Sequence, residues 1–144
     1  MLAGCTKIGV DGTFKSCPEL YSQLYIIMAW FMGQVMPAAY ILLGGKKTTT
    51  YIRMIKELKL AVESIGLTFL PEFICLDFEA GAIKAFKLEF PFVKFLGCWF
   101  HYGQCLFKKI SVDYVRVKTG TKKSIYGNSD RSLIELEKSI HVYI

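Results

Sequence analysis

No charged residue occurs from Leu20 to Gly45, and this stretch constrains the fold more than any other part of the chain. Its centre, LYIIMAWFMGQVMPAAYILL, is long enough to cross a bilayer as a single helix. Against that reading, Gly33-Gln34 with Pro37 close behind interrupts the run in its middle, where a turn would sit. The flanking pieces LYIIMAWF and MPAAYILL each have strand length. The first holds two isoleucines and three aromatics, and Pro37 suits a strand start or a sheet edge. A buried β-hairpin fits better, so no membrane partner is expected.

The segments around the hairpin alternate in character. Lys7 to Phe14 reads as a short strand before it. Beyond Gly44-Gly45 and a lysine pair, Thr48 to Thr50 offer an N-cap for a helix reaching about Ile65. Tyr51, Ile55, Leu58, Val62 and Ile65 recur at helical spacing, and Gly66 supplies the stop. EFICLDFE is a continuous apolar run ending in Asp77, the pattern of a strand covered on both faces, and Cys75 within it reads as core. A second helix spans Glu79 to Phe90, with Ile83, Phe86 and Phe90 on one side and Pro91 closing it. FVKFLGC is a further strand, FHYGQCLFKKI opens a third helix, and Ser129 or Asp130 can cap a last helix carrying Leu133, Leu136 and Ile140.

Three leading strands joined by short turns should be antiparallel. The two later strands, separated by helices, should run parallel through right-handed crossovers. The expected fold is therefore α/β, a mixed sheet flanked by helices. Its element order is similar to that of a ribonuclease H-like domain, in which the first and fourth strands lie side by side.

At 144 residues and 53% hydrophobic content, the chain is sized for one domain with a real core. Within it, IGVDGTFKSCP places Asp11 where a buried strand would hold an apolar residue. Neighbouring first and fourth strands would carry Asp11 and Asp77 on backbones about 5 Å apart, close enough for both carboxylates to hold divalent ions between them. Left alone, the two would repel and raise one another's pKa; a bound Mg²⁺ removes that cost. Two metals about 4 Å apart can activate an attacking oxygen and stabilise a leaving one in phosphodiester chemistry. Gly12 would then keep the backbone open for the incoming phosphate. Taken singly, either aspartate could equally end a strand or cap a turn.

Most of the net charge of +6 is concentrated in one place: Lys108, Lys109, Arg116, Lys118, Lys122 and Lys123 are offset only by Asp113 between Gln104 and Ile125. Such a segment can contact a phosphate backbone, although a solvated helix face or loop is the commoner outcome. The five cysteines, an odd number with no C-x-x-C pair, suit reduced thiols inside a cell.

Taken in order, IGVDGTFKSCPELYSQLYIIMA, PAAYILL, KKTTTY, FICLDFEAGAIKAF, FPFVKFLGCWFHYGQ and LFKKI resemble the transposase domain of Mutator-like elements over residues 7–112. DGTF, DFE and the C-x-x-H of GCWFH are moderately specific singly and strongly specific in this order and at these distances. The resemblance implies a ribonuclease H-like fold with three catalytic acids, cut-and-paste transposition, and a two-metal site for Mg²⁺ or Mn²⁺. It also implies DNA partners, both transposon ends and target DNA, and a nuclear location. Asp11 matches the first acid and Asp77 the second, both as metal ligands. Cys98 and His101 match the C-x-x-H feature, at a strand end and the opening turn of the next helix. Read without the family, Cys98 and His101 could begin a zinc site, but no second ligand pair lies at useful spacing. His101 beside the acids could instead position DNA or transfer protons, a catalytic role, or be a satisfied, partly buried histidine.

The family's third acid, a glutamate, lies on a late helix beyond a helical insertion. From residue 113 onward the chain resembles the start of that insertion. Residues 1–112 are thus expected to form a partial core, and residues 113–144 a basic segment and helix. Glu135 and Glu137 belong to that helix and take no catalytic role. A sheet truncated before the final catalytic helix would uncover apolar surface and favour a homo-oligomer. Whether such a chain is an enzyme stays open. One expectation is a transposase domain with little or no strand cleavage; the alternative is a domesticated remnant that binds DNA or protein without chemistry.

Overall fold

The computed structural model describes residue 2 and residues 4–119, with side chains up to Ser111 in the last helix. Among these residues the elements follow the expected order: β1 (Lys7–Thr13), β2 (Gln23–Phe31), β3 (Gln34–Leu43), α1 (Thr48–Glu63), β4 (Phe73–Leu76), α2 (Ala80–Glu89), β5 (Lys94–Gly97) and α3 (Trp99–Thr119). The helix expected from Ser129 or Asp130, with Glu135 and Glu137, lies outside the described residues.

The uncharged segment is a β-hairpin, but not a buried one: β2 buries alternate residues while β3, at the sheet edge, leaves Val35, Tyr40 and Leu42 exposed. Among the described residues no helix is long and apolar enough to cross a membrane. Phe31 pairs with Gln34, leaving Met32 and Gly33 as a two-residue loop in which both φ angles are positive, 50° and 76°. This is the primed geometry whose twist matches that of the flanking strands. The turn falls one residue earlier than Gly33-Gln34, because Gln34 closes the ladder. Pro37 sits inside β3, at the sheet edge and beside a bulge: Ile27 pairs with Ala39 but Met28 with Pro37, so Ala38 is the extra residue. Edge and bulge together explain how a residue without an N–H is tolerated there.

Met32 carries a side chain in the left-handed region and leaves it 89% exposed, so it contributes strain without packing. Met32→Asn should raise stability by about 1 kcal/mol, read as a higher denaturation midpoint at unchanged slope.

The five-stranded sheet has the order β3-β2-β1-β4-β5, antiparallel from β3 to β1 and parallel from β1 to β5. Ile8 and Val10, Tyr25, Ile27 and Ala29, and Ile74 and Leu76 alternate onto one face. Helices α1 and α2 cover that face with Tyr51, Met54, Ile55, Ala82, Ile83 and Phe86, all buried. Each large apolar side chain removed from water there contributes roughly 1.5–3 kcal/mol, and the face as a whole supplies the core.

The other face departs from expectation. β4 was to be covered on both sides and Cys75 to be core, yet Phe73 and Cys75 stay half-buried. Both crossover helices pack on the Ile74–Leu76 side, while α3 carries Leu106, Phe107 and Ile110 exposed. On this other face the Lys7 ammonium lies 4.6 Å from the Trp30 ring centroid and that of Lys94 5.4 Å from Phe73, two cation–π contacts.

α1 begins without the expected threonine cap. Lys47 occupies the cap position with no side-chain bond, and its carbonyl accepts from the Thr50 N–H at 2.9 Å. At the other end Gly66 adopts φ +73° as the stop, but the helix has already ended at Glu63, leaving Ile65 exposed.

Candidate active site

Parallel pairing aligns Lys7 with Phe73, Ile8 with Ile74 and Gly9 with Cys75. Extending that register two residues past the last pair brings Asp11 of β1 level with Asp77, the residue that follows β4. Val10 and Leu76 are buried in the helix-covered face, so strand alternation turns the carboxylates on either side of them the other way. The next register, Leu76 with Gly97, brings Cys98 level with Asp77, and the Cys98 N–H donates to the Leu76 carbonyl at 2.9 Å. α3 starts there, and one turn into it His101 Nε2 lies 3.8 Å from Asp11 Oδ1. Residues scattered from position 11 to position 101 thus meet at one end of the sheet.

The carboxyl of Asp77 is held above the usual carboxylate range, first by burial and further by the charge of Asp11. The Glu79 backbone N–H, His101 and Lys46 oppose the shift. That N–H donates to Asp77 Oδ1 at 3.4 Å. A carboxyl raised on folding supports the folded state at acid pH and withdraws that support as pH climbs through the raised value. At neutral pH, Asp77 therefore costs stability unless a cation offsets its charge.

Among the described residues, no group of three or more His, Cys, Asp or Glu side chains is placed to hold one metal ion. Asp11 and Asp77 alone still fit Mg²⁺ or Mn²⁺. Asp77 is half-buried, under-compensated and rich in unused acceptor positions, and Mg²⁺ is commonly held by one or two carboxylates with water and phosphate oxygens completing its shell. Cys98 and Cys75 belong to the same neighbourhood; burial pushes the Cys75 thiol up, and Cys98 adds to the effect.

Gly12 serves a different purpose from the one its position beside Asp11 suggested. A Cβ there would lie 2.6 Å from Gln23 Oε1 and 3.3 Å from the Tyr25 ring. Gly12 shares the helix-covered face with Ile8 and Val10, opposite to Asp11, so the room it makes is taken by a buried side chain and not by a phosphate. Gln23 is fully buried. Its Nε2 donates to Tyr51 Oη at 2.6 Å, and Tyr51 in turn donates to Glu79 Oε1 at 2.7 Å. Burial pushes the hydroxyls of Tyr25 and Tyr51 well above the tyrosine range. Among the described residues, the Tyr25 hydroxyl, the Gln23 carbonyl oxygen and His101 Nδ1 are buried without a hydrogen-bond partner.

Sequence reasoning missed this chain of residues. Gln23 was detectable as the polar residue opening an apolar strand, and Glu79 as the last letter of DFE, but nothing local linked them through Tyr51. The basic candidates fare differently. Lys108 and Lys109 are exposed on α3, roughly two turns beyond His101. Arg116 and Lys118 lie on the same helix, past the described side chains, and Lys122 and Lys123 lie outside the described residues.

No curated protein matches the chain. The model of the MULE transposase domain matches residues 7–104, from the first residue of β1 into α3, a span that contains Asp11, Asp77, Cys98 and His101. The chain belongs to the MULE transposase domain family.

Proposed function

We propose that this chain presents the first two catalytic acids of a Mutator-like DNA transposase on a ribonuclease H-like sheet, and that Asp11 and Asp77 hold Mg²⁺ or Mn²⁺ against a DNA phosphodiester. The observation that carries the reading is the parallel register of β1 and β4, which, extended by two residues, brings Asp11 level with Asp77. Divalent ions bound there would polarise the phosphoryl group and make water a stronger nucleophile.

The protein's own groups have separable roles. Asp11 and Asp77 supply the acceptor oxygens. The Glu79 N–H restrains Asp77, and Glu79 is itself held through Tyr51 and Gln23. His101, 3.8 Å from Asp11, is within reach to steady that carboxylate or to pass a proton at its Nε2. The reaction served is attack of water on a phosphodiester at the element's end, followed by attack of the freed 3′ hydroxyl on target DNA.

Among the described residues no third acid joins the pair. Nicking of supercoiled plasmid by the full chain with Mn²⁺ should therefore be weak, and Asp11→Asn should remove it. Nicking that persists in Asp11→Asn overturns the reading. Salt-sensitive DNA binding that needs neither metal nor Asp11, with no nicking at all, would place the chain with non-catalytic DNA-binding modules.

A further inference from the structure

The loop between β3 and α1 carries a cation that the sequence did not single out. Its backbone is fixed at three successive residues. The Gly45 carbonyl accepts from Gln23 Nε2 at 3.4 Å, the Lys46 carbonyl packs where a Cβ on Gly81 would approach to 2.8 Å, and Lys47 caps α1. The Lys46 side chain, by contrast, is exposed and pairs with no carboxylate among the described residues. Its ammonium sits 3.7 Å from the centroid of Phe14, the residue immediately beyond β1 and three past Asp11. Phe14 itself is 49% exposed, a large aromatic left open three residues beyond Asp11 in the chain.

An ammonium with no carboxylate partner among the described residues, on a loop whose backbone is packed in place and beside an exposed ring, is a combination suited to nucleic acid. The ammonium matches a backbone phosphate, and the ring offers a stacking surface for any base. We propose that Lys46 and Phe14 hold the DNA strand whose phosphodiester lies at Asp11 and Asp77, Lys46 binding a neighbouring phosphate and Phe14 stacking on an unpaired base. The inference rests on DNA being the substrate of this site. It assigns strand positioning to the β3–α1 loop in place of the basic segment of α3.

The test is fluorescence anisotropy of a labelled duplex with a single-stranded overhang, titrated with the full chain in EDTA at several salt concentrations. Lys46→Gln should weaken binding roughly tenfold and reduce the slope of log affinity against log salt by about 1, while Lys46→Arg retains both. Phe14→Leu should weaken binding roughly tenfold with the slope unchanged, and Phe14→Tyr should retain it. Both positions are exposed, so melting temperatures should stay near that of the unaltered chain.

Binding by the unaltered chain with no effect of Lys46→Gln on affinity or slope overturns the pair and leaves the cleavage reading intact. Nicking that persists in Asp11→Asn alongside these expected losses leaves the pair standing and removes the catalytic reading. Failure of the unaltered chain to bind the DNA overturns both.

Discussion

Asp77→Asn is expected to raise the melting temperature of the metal-free protein while abolishing its stabilisation by Mn²⁺. The first effect follows from the position of the carboxyl, partly buried and level with a second carboxylate, where its charge is unfavourable. Asparagine keeps the shape and removes the charge, so a gain of about 2–4 °C is expected at neutral pH. The gain should shrink as pH falls, because a protonated Asp77 already resembles asparagine. The second effect has the opposite sign. In the unaltered chain, Mn²⁺ held as proposed should add roughly 2.7 kcal/mol by mass action at about 100 times its dissociation constant. Loss of one of two carboxylate ligands should lower affinity by at least about 100-fold, more than the loss of an outer-sphere partner usually costs. Thermal melts with and without Mn²⁺ and a Mn²⁺ titration followed by electron paramagnetic resonance read both effects. A variant that melts lower without metal, or that keeps its Mn²⁺ shift, would contradict the assignment of Asp77 as a ligand.

The second large effect is expected from a glycine that touches no substrate. Gly81→Ala in α2 should lower stability by about 2–3 kcal/mol, although alanine ordinarily favours a helix over glycine by close to 1 kcal/mol. The sign reverses because the added methyl would meet the Lys46 carbonyl oxygen at 2.8 Å, with the Tyr51 ring at 3.5 Å and the Thr48 nitrogen at 3.7 Å behind it. The first obstacle is backbone, so no rotamer change relieves it, and α2 and the β3–α1 loop must separate. Lys46 then leaves its place over Phe14, and DNA affinity should fall with stability. Gly103 in α3 provides the contrast: among the described residues nothing lies within 4 Å of its Cβ position, and Gly103→Ala should stabilise by about 0.5–1 kcal/mol. Urea denaturation of both variants separates the cases. Stabilisation by Gly81→Ala would show that helix and loop are not in the close contact described.

Much of the architecture was legible in local pattern. The hairpin within the uncharged segment could be told from a membrane span because Gly33 and Pro37 punctuate it and each half has strand composition. The two crossover helices followed from apolar spacing at Tyr51, Ile55 and Val62 and at Ile83 and Phe86. Asp11 and Asp77 stood out because a carboxylate at the end of an apolar strand is anomalous unless something uses it, and His101 and Cys98 followed from their resemblance to the family.

What stayed hidden has a common cause. Whether Gly12 faces a phosphate or a glutamine depends on which side of β1 the helices cover. Whether β4 is sheathed twice or once depends on both crossovers choosing the same side, and neither choice is written in a strand's own period.

The chain's order of residues determined by itself where elements start, stop and repeat, since periodicity, turn chemistry and strand composition act within a few neighbouring residues. Only tertiary structure decided that His101 comes within 3.8 Å of Asp11, that Gln23, Tyr51 and Glu79 join, and that Lys46 meets Phe14. Those meetings depend on strand register and on one helix-covered face, which are properties of packed segments and of no segment alone.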